Sequence, residues 1–350
     1  MNFASDNTAG IAPPILDAIA RANDGSALAY GDDATTAGVE RRLSELFERA
    51  VAAFLVPTGT AANALAIAQM TPPWGAVLCH AECHLAVDEC GAPEFFGGGL
   101  KLVGLPGEAC KLRAETVATA LARRPWGGPH HVTAAALTLT QATEAGTIYR
   151  PDELRSLCEI AHQHGLAVHV DGARFGNALV RMNVTAAEAT WKAGVDVMTF
   201  GATKAGALAA EAVVFFDPAR SGAMSERRKR GGHLVSKHRF LAAQFAAFLA
   251  DDLWLALARH ANRMADRLAD GLVRAGLRPV WPVEANEVFV ALPPAADQRL
   301  KAAGASYYRW STSSLPQGLT VEAADVVRLV TSFATTADEV DRFVAVAADA

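Results

Sequence analysis

His169-Val170-Asp171-Gly172-Ala173-Arg174 and Thr199-Phe200-Gly201-Ala202-Thr203-Lys204-Ala205-Gly206 are the two stretches on which the fold turns. The apolar run Leu166 to Val170 reads as a buried strand that delivers Asp171 at its C-terminal end. Val195 to Phe200 reads as a second strand, closing in a turn of small residues around Lys204. One helix-length crossover separates them, as between neighbouring parallel strands. The chain has seven lysines, and this one stands among Gly, Ala and Thr rather than among charges. An amine and a carboxylate at adjacent strand ends suit pyridoxal 5'-phosphate: the lysine for a Schiff base, the acid to keep the pyridine nitrogen protonated. The plain alternative is a strand-end aspartate and a solvated lysine, because strand C-termini gather ligand sites in any open α/β sheet.

The surrounding chain alternates apolar runs with helical stretches. Ala52 to Val56, Ala76 to Cys79, Lys101 to Val103, Ala134 to Thr140 and Ala212 to Phe216 read as further strands. Pro13 to Asn23, Val39 to Arg49, Thr60 to Met70, Thr116 to Arg123 and Pro151 to His164 read as helices, the last opened by Pro151 and stopped by Gly165. This predicts an α/β domain with a mostly parallel sheet. After Lys237 the texture changes. Phe240 to Leu272 reads as one long Ala/Leu-rich helix, followed by strand patterns at Glu287 to Leu292 and Val327 to Phe333. The expected division is a large domain over 1–245, including the N-terminal segment, and a smaller α+β domain over 246–350.

Totals narrow the function classes. Of 350 residues, 51% are hydrophobic and 20% charged, so a large core is expected and disorder is not. A net charge of −5 suggests neither a nucleic-acid partner nor an anionic membrane. Met1 to Asp6 has no secretory character, and no uninterrupted apolar run reaches the ~18 residues of a span. The five scattered cysteines fit reduced thiols, and the expectation is a cytoplasmic protein.

Several motifs fit a cofactor site. Pro57-Thr58-Gly59-Thr60-Ala61-Ala62-Asn63 lies between a strand and a helix, where free N–H groups and a capping hydroxyl bind an anion. Gly59 and Thr60 are the phosphate candidates; an ordinary helix cap is the other reading. His84 suits stacking on a pyridine ring or acid–base work, or a structural place. Cys79, His80, Glu82, Cys83 and His84 hold possible metal ligands, but no second ligand pair appears elsewhere, so no metal is expected. Arg174 suits the cofactor's phenolic oxygen or a surface ion pair. Arg328 interrupts the apolar run Val327 to Phe333. It therefore lies on a wet edge or meets a carboxylate, and a substrate carboxylate is a good partner for its fork. The basic run Arg227-Arg228-Lys229-Arg230 reads as a solvated face or as phosphate contacts.

Taken in order, these motifs resemble the L-threonine aldolases of the β-eliminating lyase group, pyridoxal-phosphate enzymes of the aspartate-aminotransferase-like fold (fold type I). The resemblance runs through Ser5-Asp6-Asn7, Tyr30-Gly31-Asp32-Asp33, Pro57 to Asn63, His84 with Glu89 and Gly91, Asp171 to Arg174, Thr203-Lys204 and Arg328-Leu329-Val330-Thr331. Asp88 to Phe96 looks like the branch of low-specificity and phenylserine aldolases. The resemblance implies retro-aldol cleavage of L-threonine, L-allo-threonine or phenylserine to glycine and an aldehyde. It also implies roles. Lys204 becomes the Schiff-base lysine, Asp171 the partner of the ring nitrogen and Arg174 that of the phenolic oxygen. Gly59 and Thr60 hold the phosphate, and His84 stacks on the ring and is a candidate for the base step. Ser5 and Arg328 hold the substrate carboxylate. Tyr30 reaches in from a partner subunit, which implies a homodimer or homotetramer with shared sites. Where many relatives carry a histidine, this chain has Glu144, and residues 227–237 lack the usual triple glycine. Rival classes are a β-eliminating amino-acid lyase (ammonia and a keto acid as products), an aminotransferase, and a non-catalytic binding module, which would have lost Lys204.

Overall fold

Strands buried on both faces read as unbroken apolar runs, and such runs build the main sheet of the computed structural model, which describes residues 1–123, 125–310, 314–316 and 326–348. Its strands are β1 (Ala52–Val56), β2 (Gly75–His80), β3 (Lys101–Leu105), β4 (Thr133–Thr140), β5 (Ala167–Gly172), β6 (Val197–Gly201) and β7 (Glu211–Phe215), in the spatial order β1-β7-β6-β5-β4-β2-β3. Strands β2 to β6 pair in parallel. Strand β7 runs antiparallel between β6 and β1. Only residues 202–210 join β6 to β7, too short a link for a parallel crossover. A second, antiparallel sheet holds β8 (Glu287–Ala291), β9 (Tyr308–Arg309) and β10 (Val326–Val330) in the order β8-β10-β9.

The predicted helix over Phe240 to Leu272 is two helices, Arg239–Leu249 and Leu253–Arg274. Asp251 and Asp252 break it by taking left-handed φ values of 50° and 53°, a region that aspartate tolerates better than Ala or Leu. By length and composition the stretch 239–274 could cross a membrane. Here its apolar side packs on the main sheet: Phe245, Phe248 and Trp254 are buried in the first core. Residue 245 thus lies within a helix of the large unit. The second core joins Leu268 and Leu272 to Val288, Leu329 and Phe343, and it takes in Phe3 from the N-terminus.

Phe200 ties the site to this packing. Its ring meets Phe175, Phe245, Phe248 and Trp254 at centroid distances of 5.6, 5.5, 5.9 and 5.2 Å. It is fully buried three positions before the turn Thr203–Ala205, which carries Lys204. Phe200→Ala should cost about 3–5 kcal/mol, a large side chain lost from a rigid core. Urea unfolding of the variant checks this.

Candidate active site

Strand register gathers the reactive groups. Asp171 stands opposite Thr199, Gly201 opposite Glu211, and Glu211 opposite Val56. The C-terminal ends of β1, β5 and β6 therefore share one sheet edge with the start of β7. Gly172 permits this closeness, since a Cβ there would lie 2.5 Å from the Thr199 carbonyl oxygen. After β6 the turn Thr203–Ala205 presents Lys204 and is stopped by Gly206 at φ 117°. A cleft of about 630 Å³ opens over this edge. Ser5, Gly59, Thr60, His84, Asp171, Arg174, Lys204 and Arg328 all line it. Tyr30 does not; it is 47% exposed, with Lys229 Nζ 4.2 Å from its ring centroid.

Asp171 is held on both oxygens. Oδ1 accepts the Ala173 N–H at 3.0 Å and Oδ2 accepts Asn63 Nδ2 at 2.9 Å. The other hydrogen of that amide goes to Glu89 Oε1 at 2.8 Å. Glu89 Oε1 also meets His84 Nδ1 at 2.8 Å. Asn63 and Glu89 belong to motifs legible in the sequence, but nothing local there gives them this bridging role. Burial raises the Glu89 carboxyl above its ordinary value, with the Asp171 charge adding to it. Burial works against a protonated His84, yet the Glu89 hydrogen bond and the Asp171 charge outweigh it and raise the imidazole's pKa. His169, two residues before Asp171 on the same strand, is pushed down to about 4 by burial and stays neutral.

The opposite wall is cationic. Arg174 donates from Nε and Nη2 to Asp6 at 2.8 and 3.1 Å, and Nη2 lies 3.5 Å from Glu287. It is not a surface ion pair: its side chain is 11% exposed. Burial opposes the ionised Asp6, but the Arg174 and Lys204 charges hold its carboxyl below the usual range. Arg328 sits on β10, the central strand of the small sheet, so the wet-edge reading gives way to the carboxylate one. Among the described residues it pairs with the Glu287 carboxylate at 4.0 Å, beyond hydrogen-bond reach. Among the described residues its buried Nε has no hydrogen-bond partner, and the guanidinium rests 4.5 Å over Trp310. A cation whose fork makes no hydrogen bond among those residues faces the cleft. Ser5 Oγ caps its own turn, accepting the Asn7 N–H at 3.1 Å.

The helix Gly59–Met70 starts at the cleft with Thr58 as its cap. A Cβ at Gly59 would meet no atom within 4 Å, so the space beside these N–H groups is open. A helix start for a phosphate, a lysine for an aldehyde and a clamped carboxylate for a ring nitrogen fit pyridoxal 5'-phosphate. The basic run is not a simple solvated face. Arg227 donates to Gln69 Oε1 at 3.0 Å and Arg228 to the Leu55 carbonyl at 3.2 Å. His80, Glu82 and Cys110 bring ligating atoms within 4.8 Å of one another. These groups already bond each other: the Glu82 N–H donates to His80 Nδ1 at 3.1 Å and the Cys110 thiol to Glu82 Oε2 at 3.5 Å.

Residues 2–294 match the family model for β-eliminating lyases. The chain belongs to the β-eliminating lyase family. This lyase is 43% identical to a low specificity L-threonine aldolase of Pseudomonas aeruginosa over 307 residues, covering 87% of the chain and 88% of the relative. It is 40% identical, over the same shares, to a low specificity L-threonine aldolase of a Pseudomonas species. Among solved structures, a Leishmania major threonine aldolase superposes with a TM-score of 0.91 at 31% identity, covering 99% of this chain and 98% of that one. A serine palmitoyltransferase of Sphingomonas wittichii shares the fold at a TM-score of 0.71 and 16% identity, covering 99% of the lyase and 86% of its own chain.

Proposed function

We propose that this lyase is a pyridoxal-phosphate-dependent aldolase. It cleaves L-threonine, L-allo-threonine or related β-hydroxy-α-amino acids such as phenylserine to glycine and an aldehyde. The observation that carries the reading is one cleft with Lys204 and the clamped Asp171 on one wall and, on the other, the Arg328 fork, which makes no hydrogen bond among the described residues. The aldolase relatives support it.

When bound, the cofactor supplies the electron sink for the bond broken at Cα. The protein does the rest. Thr58, Gly59 and Thr60 hold the phosphate at the helix start. Lys204 would hold the cofactor's aldehyde. Asp171 keeps the proton on the ring nitrogen. The Nη1 of Arg174, not used by Asp6, serves the phenolic oxygen, and His84 covers the ring. Arg328, with Ser5, would fix the substrate carboxylate and so set which bond at Cα is presented for cleavage. The protein works in the cytoplasm as a homodimer or homotetramer, with Tyr30 reaching the cleft of a second copy; its exposure outside its own cleft favours this.

Incubation with L-threonine and with phenylserine, scoring glycine, acetaldehyde and benzaldehyde, tests the reading. Ammonia and a keto acid as products would mean β-elimination instead. Arg328→Lys tests the orientation. Lysine cannot make a planar two-bond fork. A lost charged hydrogen bond is worth about 1.5–3 kcal/mol, so kcat/KM should fall by about one to two orders of magnitude with cofactor content unchanged. Unaltered kinetics in that variant would leave Arg328 as a structural group.

A further inference from the structure

Glu144 is the buried acid that this reading leaves unused. It follows β4 in the loop that also brings Ala142 and Thr143 to the cleft, and it lines the cleft itself. One oxygen is fully engaged: Oε1 accepts the His84 N–H at 2.8 Å and the Thr140 hydroxyl at 2.9 Å. The other, Oε2, is buried with no hydrogen-bond partner among the described residues. A carboxylate fixed by two donors, with its second oxygen dry and unmatched, is costly unless a ligand completes it. The competing groups are committed elsewhere. Glu89 also has an unmatched Oε2, but it sits behind His84 and does not line the cleft. Glu211 lines the cleft on the Lys204 side, and neither of its oxygens is left buried without a partner. His84 has its Nδ1 against Glu89, and against the effect of burial this bond with the Asp171 charge raises its pKa and so favours the protonated ring, which has no lone pair to accept a proton.

We propose that Glu144 is the catalytic base for the substrate's β-hydroxyl, receiving its hydrogen bond at Oε2. The proposal rests on the aldolase reading and names the group that recognises the β-hydroxyl. In cleavage the hydroxyl proton moves to Glu144 Oε2. The O–H electron pair becomes the second bond of the aldehyde C=O. The Cα–Cβ pair stays with the glycine fragment, which takes up a proton at Cα before it leaves. In the reverse direction Glu144 returns its proton to the aldehyde oxygen.

Electrostatics agree with this placement. Burial pushes Glu144 up to about 7 against the pull of its donors, near the value that suits a base at neutral pH. The ionisable groups bearing on it are Asp171, Cys83, Cys110 and Tyr149, while His84 meets it through the backbone N–H. Cys83 is held above its ordinary value by its Cys79 hydrogen bond and burial, and Cys110 and Tyr149 are held up by burial. These three stay neutral at neutral pH, which leaves the Asp171 charge acting on it. A base works only ionised, so cleavage should rise with pH through about 7.

Glu144→Gln tests the role in the cofactor-loaded enzyme, because glutamine keeps an oxygen for the His84 and Thr140 donors. Three measurements are made: cleavage of phenylserine against pH, the affinity for glycine, and exchange of glycine's α-proton with D2O. Glycine has no β-hydroxyl, so its binding and exchange do not need this base. The expected result is cleavage slowed by about 10²–10⁴-fold, the acid limb near pH 7 gone, and glycine affinity and exchange within about twofold of wild type. Cleavage within threefold of wild type would overturn the proposal. So would loss of glycine exchange together with cleavage, which would make Glu144 a positioning residue behind His84. A wild-type enzyme that exchanges glycine but cleaves no β-hydroxy-amino acid would overturn the aldolase reading itself, and this role with it.

Discussion

Lys204→Ala is expected to lower kcat by about four orders of magnitude. That is the top of the range for a single acid–base group, because the covalent hold on the cofactor goes as well. Lys204 lines the cleft and, among the described residues, makes no hydrogen bond or ion pair. Nothing structural depends on its charge beyond the pull it exerts on neighbours such as Asp6. The variant should therefore fold with an unchanged melting temperature, as for a substitution that removes no packing or buried partner. The helix start at Gly59 is untouched, so the cofactor should still bind through its phosphate. The measurements are the visible absorbance of the purified protein and peptide mapping after borohydride reduction. Reduction should fix the cofactor to Lys204 in the wild type and to no residue in the variant. Label on any of the other six lysines would place the site elsewhere.

How much of this was legible in the sequence depended on whether the signal was local. Gly75–His80, Val197–Gly201 and Glu211–Phe215 are buried at every position. They could be read as strands to within a residue or two because a strand covered on both faces shows as one apolar run. The strand-end positions of Asp171 and Lys204 followed from that. The kink at Asp251-Asp252 had a local sign, but it was outweighed by the helix-forming Ala and Leu around it. The two residues Tyr308–Arg309 were too few to show a period. The groups that hold the site come from distant parts of the chain. Asn63 reaches Asp171 across 108 positions, and Arg174 reaches Asp6 across 168. No periodicity records such a bond. Arg328 was noticed only because a charge within an apolar run breaks the local rule, and such breaks gather where function outweighs packing.

Asp171→Asn should separate the electronic role of this carboxylate from its structural one. An opposite charge within contact distance raises the pKa of a protonated nitrogen by about 1–3 units. Each unit is 1.36 kcal/mol, a factor of ten. Loss of the charge should therefore cost about 10–1000-fold in kcat for any reaction that draws electrons from Cα. Glycine α-proton exchange should fall in step with cleavage, unlike the pattern expected for Glu144→Gln. The geometry adds a second effect. Both Asp171 oxygens accept from donors, Ala173 N–H at 3.0 Å and Asn63 Nδ2 at 2.9 Å. An asparagine must turn its NH2 toward one of them and lose that bond. Because Asp171 is buried, the unmatched donor should cost about 1–3 kcal/mol of stability, readable as a lower urea midpoint of the cofactor-free protein. Near-normal exchange and cleavage in the single variant would remove the carboxylate from the mechanism.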